Sequence, residues 1–213
     1  MKAALRAIGL LVDPDREWQW IDKDSGDLVY LLTSYVAPLA LIPALCGFIG
    51  GSLIGVIRPD GSVMREGVFG GLLSALFGYA VSFATVMLVG LLIALLAPRF
   101  GGRRDFAGAF KLAAYSYTPV WLTGIALILP GLHFLELAGF YGAYLLLQGL
   151  SPVMKLPTPR PRIYAAAVVA FAGMLMFFTA TAQRALFGSV THRVIRKAPC
   201  PVLLVRLLGP SLY

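Results

Sequence analysis

Charged residues along this chain fall in clusters, and between the clusters lie five long apolar runs. No acidic or basic residue occurs in residues 28–57, 67–98, 112–134, 137–154 or 163–183. A helix crossing ~30 Å of hydrocarbon needs about 20 apolar residues, with a lower limit near 17. The first two runs have length to spare for tilt, and the fourth is the shortest. The pattern predicts an all-α fold, a polytopic helical membrane bundle with about five transmembrane helices at about 28–57, 67–98, 110–130, 133–152 and 162–186. An N-terminal segment, 1–27, precedes this transmembrane domain of 28–187, and a short basic tail, 188–213, follows it.

The N-terminal segment opens with an amphipathic piece, Ala3 to Leu11, carrying Lys2 and Arg6, and Pro14 breaks it. Trp18 and Trp20 follow. Tryptophan favours the membrane–water boundary because its ring is apolar while its N–H needs a wet partner. The segment therefore reads as a helix lying on the membrane with Trp18 and Trp20 as interface anchors; the plainer reading is an ordinary flanking stretch. No small-residue cleavage site follows the apolar piece, so a removed signal peptide is not expected.

Within the runs, small and rigid residues carry the pattern. Pro38 and Pro43 predict kinks in the first span, since proline removes a helical hydrogen bond. Gly47, Gly51 and Gly55 recur every four residues, and Gly70, Ser74, Gly78 and Ser82 do the same in the second span. Such faces let two helices approach closely, either within one chain or between copies. Arg58-Pro59-Asp60-Gly61 reads as a turn joining those spans, Pro130-Gly131 as a short turn, and Pro157, Pro159 and Pro161 as a stiff connector.

Composition agrees with the pattern. The 213 residues are 59% hydrophobic and 13% charged, about half the charge of an ordinary soluble domain. The +8 net charge belongs beside lipid headgroups, and no basic stripe interleaved with aromatics supports nucleic-acid binding. Lys and Arg concentrate in the N-terminal segment and in the loops after the second and fourth spans. The positive-inside tendency therefore places the N-terminus in the cytoplasm, although the basic tail pulls the other way.

Few residues offer chemistry. Lys111, at the start of the third span, reads as a snorkelling anchor. His133 and Glu136, three apart, share a helix face and form a conceivable proton-handling pair near a span end, where water also reaches them. Tyr115, Ser116, Tyr117, Thr118 and Pro119 make the most polar stretch inside a span. Pro119 frees the Tyr115 carbonyl, which Ser116 or Thr118 can satisfy; the stretch is a packed kink or, alternatively, a small-ligand site. Cys46 and Cys200, with His133 and His192, offer no metal spacing, and no nucleophile-elbow pattern is present, so neither catalysis nor a cofactor is expected.

Several segments resemble one family. Leu10-Leu11-Val12-Asp13-Pro14 with Glu17-Trp18, Ala113-Ala114-Tyr115-Ser116-Tyr117-Thr118-Pro119, and Gly142-Ala143-Tyr144 through Gly149-Leu150 are similar, in order and spacing, to bacterial Yip1-domain proteins over about Leu10–Phe187. The resemblance implies a bacterial inner-membrane protein and carries no catalytic residue; eukaryotic members associate with small GTPases and with each other. The tail, Leu186 to Val190 and Ala198 to Arg206, resembles the last segment of universal stress proteins. It lacks that family's upstream glycines, with Phe178 where the nearer would fall, so nucleotide binding is not expected. The reading is a non-enzymatic scaffold or accessory subunit in contact with membrane lipids, packing on another membrane protein or itself. The alternatives are a transporter or channel for a small solute, or a sensor whose tail reads nucleotide or lipid.

Overall fold

The computed structural model describes residues 2–24, 27–57, 63–156 and 161–197. The first two elements, α1 (Lys2–Val12) and α2 (Pro14–Lys23), form a helical hairpin about Asp13. Asp13 accepts from the Arg16 amide, and Pro14 takes the first helical position, where its missing N–H costs nothing. The first span is one continuous helix, Leu28–Ile54, built from α3 (Leu28–Leu31), a π turn (Leu32–Val36), α4 (Ala37–Phe48) and a second π turn (Ile49–Ile54). The first π turn sits just before Pro38, which has no N–H for the Ser34 carbonyl.

The span stops short of its expected end at 57. Gly55 has φ 88°, a conformation that side chains avoid, and the chain turns there into a small antiparallel hairpin. Its strands, β1 (Val56–Ile57) and β2 (Val63–Met64), pair Val56 with Met64 and Ile57 with Val63. Gly55 is thus a helix stop and not part of a packing face. The expected turn at Arg58–Gly61 lies outside the described residues.

The second span, α5 (Val68–Leu96), ends in a 3₁₀ turn at Ala97–Phe100, around Pro98. The third run, expected as a single helix over 110–130, is broken. It comprises α6 (Phe106–Ser116), capped by Asp105, then α7 (Thr118–Thr123) and a 3₁₀ turn at Gly124–Ile128. A second 3₁₀ stretch, Pro130–Phe140, precedes α8 (Tyr141–Met154), so the fourth run is a true α-helix only over its later part. Among the described residues three helices are long and apolar enough to cross a membrane: Leu28–Ile54, Val68–Phe100 and Leu137–Met154. The last helix, α9 (Pro161–Lys197), includes the shorter apolar stretch Arg162–Met176 and carries on through the expected start of the tail at 188.

The chain is an all-α helical membrane bundle apart from the small hairpin, with α6 at its centre. α5 packs on α4, α6 and α9, while α8 packs on α2, α6 and α9. Trp18, Trp121 and Tyr164 are the largest fully buried side chains. Leu72, Leu76, Leu88, Leu91 and Leu95 of α5 face outward, which suits a hydrocarbon surrounding. The α1–α2 hairpin, the loop before α6 and the end of α8 meet at one end of the bundle: the Arg103 amide donates to the Met154 carbonyl at 3.0 Å, and Lys155 pairs with Asp22 at 2.5 Å.

Candidate functional site

The most polar stretch of the core is built around the break at Tyr117. Pro119 has no N–H to offer the Tyr115 carbonyl, and the Thr118 hydroxyl donates to that carbonyl instead, at 2.7 Å. The Tyr35 hydroxyl of the first span lies 2.7 Å from the same Thr118 oxygen. Thr118 has a single proton and has already used it, so Tyr35 is the donor in this pair. The result is a directed chain, Tyr35 to Thr118 to Tyr115, joining the first span to the kink. Around it the Tyr35 and Tyr115 rings meet edge-on at 4.5 Å, and Trp18 meets Tyr115 edge-on at 6.3 Å. Pro119 is buried beside this chain, whereas the hydroxyls of Ser116 and Tyr117 are buried without a hydrogen-bond partner.

Trp18 corrects the reading of the N-terminal segment. It is 1% exposed and sits against Leu112 and Gly149, inside the bundle and away from headgroups. Trp20, two residues on, is 59% exposed, because the helical turn sends it to the opposite side of α2. Leu5, Ile8 and Val12 form an outward apolar stripe on α1, while Ala7 and Leu10 are buried. The hairpin is therefore docked on the bundle and also presents apolar surface outward.

The docking gives Arg6, Glu17, Asp24 and Lys111 a pairing role that sequence reading did not assign to them. Arg6 reaches Asp24 at 2.5 Å and lies 3.9 Å from Glu17. Lys111 donates to the Asp24 backbone carbonyl, so it clamps the hairpin to α6 instead of reaching for headgroups. Arg6, Asp24 and Lys111, together with Asp27, Tyr30, Ser34, Tyr35 and Tyr115, border a cavity of about 190 Å³. The only signal in the sequence was the density of acids between Asp13 and Asp27, next to a chain otherwise poor in acids.

The small-residue faces are partly relocated. Gly47, Ser74, Gly78 and Ser82 line a groove of about 340 Å³ between α4 and α5, with Glu66 at its edge. Gly51 also lies beside Glu66. The closest helix approaches, however, use Gly50, against the Leu127 backbone, and Gly71, against Ser52; a Cβ at either would collide. The approach to Ser52 is made at Gly71, one position from Gly70. The side chains of His133 and Glu136 lie outside the described residues, so the pair is not placed. Among the described residues no three His, Cys, Asp or Glu side chains gather as a metal set.

Residues 8–180 match the Yip1 domain family. Residues 179–206 match the universal stress protein family; that stretch is helical as far as Lys197, and its remainder lies outside the described residues. The inner membrane protein YohC of Escherichia coli is 32% identical over 152 residues, covering 70% of this chain and 78% of its own length, and YohC from a second Escherichia coli strain gives the same figures. No solved structure matches. The match begins in the docked hairpin, passes through the kink at Tyr117 and ends within α9, so it takes in every element of the described bundle apart from the start of α1 and the end of α9, and the chain belongs to the Yip1 domain family.

Proposed function

We propose that this chain is a non-enzymatic scaffold or accessory subunit of the bacterial inner membrane, spanning it five times with the N-terminal end in the cytoplasm. The observation that carries the reading is the groove between α4 and α5. Its walls are Gly47, Ala75 and Gly78, with Ser74 and Ser82, all of them half-buried. Without a hydrophobic drive between helices in lipid, association depends on close packing, and small residues permit it. A helix from another membrane protein, or from a second copy, fits such a surface. The inner-membrane placement follows the name of the YohC relative.

The orientation follows from the end where the hairpin, the loop at 97–105 and the end of α8 converge. Arg6, Arg99, Arg103, Arg104, Lys111 and Lys155 gather toward it, and short basic segments stay cytoplasmic.

A transporter would need a polar path through the bundle. Here the Tyr35–Thr118–Tyr115 chain uses its donors internally, and the cavities bordered by Val120 and Gly139 are walled mainly by apolar side chains, with Ser116, Tyr117 and Thr123 the polar residues among the described lining. Native mass spectrometry in mild detergent tests the proposal. The 22.9 kDa chain is expected with a second subunit, lost when Gly47→Ile fills the groove. A lone monomer, with solute uptake by proteoliposomes, overturns it.

A further inference from the structure

The cavity of about 190 Å³ beside the docked hairpin brings charges of both signs to the membrane boundary. Asp27 immediately precedes Leu28, where the first span begins, and its side chain caps that helix by accepting from the Val29 amide. Lys111 reaches the same end of the bundle from α6 and donates to the Asp24 backbone carbonyl. Of the four charged residues that border the cavity, Arg6 and Asp24 pair with each other. Lys111 and Asp27 have no ionic partner among the described residues. Tyr115 borders the same cavity and is 7% exposed, and its hydroxyl makes no hydrogen bond among the described residues. Unlike the hydroxyls of Ser116 and Tyr117, that of Tyr115 is not closed off from the surface.

We propose that this cavity binds a zwitterionic phosphoethanolamine group, with its phosphate on Lys111 and Tyr115 and its ammonium on Asp27. The phosphate offers acceptors to an ammonium and a hydroxyl that have donors to spare, and the ligand's own ammonium offers donors to a carboxylate. An anionic headgroup would match Lys111 but leave the Asp27 carboxylate facing a like charge. Partly buried charges are screened less than exposed ones, so the sign of each group counts here. A cavity of roughly 150 Å³ holds a benzene ring, so this one has room for a small headgroup. Two molecules share this chemistry: the membrane lipid phosphatidylethanolamine and the water-soluble glycerophosphoethanolamine. The position favours the lipid, because the cavity lies where the first span begins and Val29 and Tyr30, the span's next residues, are exposed beside acyl chains. The site is separate from the α4–α5 groove, so its failure would leave the scaffold reading standing.

The test titrates the full chain in lipid-depleted detergent, by native mass spectrometry, with dioleoylphosphatidylethanolamine, dioleoylphosphatidylglycerol and glycerophosphoethanolamine as separate probes. The ethanolamine lipid is expected to bind about tenfold more tightly than the glycerol lipid, the difference that one charge-assisted hydrogen bond makes. Binding of the lipid alone names the membrane as the source; comparable binding of glycerophosphoethanolamine names the soluble ester, and either supports the site. Asp27→Asn keeps the helix cap, since asparagine caps as well as aspartate, and is expected to erase the preference between the two lipids. Tyr115→Phe is expected to weaken the ethanolamine lipid about threefold to tenfold, yet to melt no lower than the parent when empty, because its hydroxyl gives up no existing hydrogen bond. Equal binding of the two lipids by the parent chain overturns the inference, as does no binding of either ethanolamine probe. An unchanged preference in Asp27→Asn overturns it as well.

Discussion

Thr118 has one proton, and where it goes decides how two substitutions differ. Thr118→Val strands both the Tyr35 hydroxyl and the Tyr115 carbonyl in the core, a loss of about 2–3 kcal/mol. Tyr35→Phe removes a donor but leaves Thr118 bonded to Tyr115, a loss of about 1 kcal/mol. Thermal melting in detergent is expected to show a drop of roughly 5–10 °C for the first and clearly less for the second. Equal drops would mean that the donor chain runs the other way. Trp18→Ala is expected to cost about 3–5 kcal/mol, as for any large buried aromatic, while Trp20→Ala stays within about 0.5 kcal/mol. The need of the Tyr115 carbonyl was legible from Pro119, because a proline's effect is local and fixed by covalent geometry. The Tyr35 partner was not, because it lies 83 residues away in sequence. Trp18 and Trp20 have the same chemistry in sequence, and only the docking of α2 on α8 tells them apart.

The α1–α2 hairpin is held at its base by charges and not by depth of burial alone. Arg6→Gln removes the pairing with Asp24 and Glu17, groups partly open to solvent, so the loss is modest, about 1 kcal/mol. Hydrogen exchange in α1 is expected to quicken about fivefold to tenfold, with the rest of the bundle unchanged. Uniform quickening would mean that the hairpin does not open as a unit. The long apolar helices were plain from the sequence, since an uninterrupted run of uncharged residues has few other uses. Their interruptions were legible only in part. Pro119 marked the kink at Tyr117, whereas Gly55 looks like an ordinary span residue until the backbone shows its positive φ. Glycine spacing also misled by one position: the four-residue repeat picks Gly70, whereas helix rotation brings Gly71 against Ser52.

The assembled bundle makes two further commitments. With Cys46 and Cys200 replaced by Ser, a membrane-impermeant maleimide applied to intact cells is expected to label Met64→Cys in strand β2 of the small hairpin. Lys155→Cys is expected to react only after lysis. The reverse pattern would invert the orientation. The groove between α4 and α5 carries the larger commitment, that this chain works by holding another membrane helix. The most direct measurement places a photo-crosslinking residue at Ala75, in the groove, and another at Leu91, on the lipid-facing side of the same helix, in living cells. A discrete adduct to a second polypeptide or a second copy from Ala75, with none from Leu91, is the predicted result. No adduct from Ala75, or equal smears from both positions, would contradict it and leave the groove to lipid.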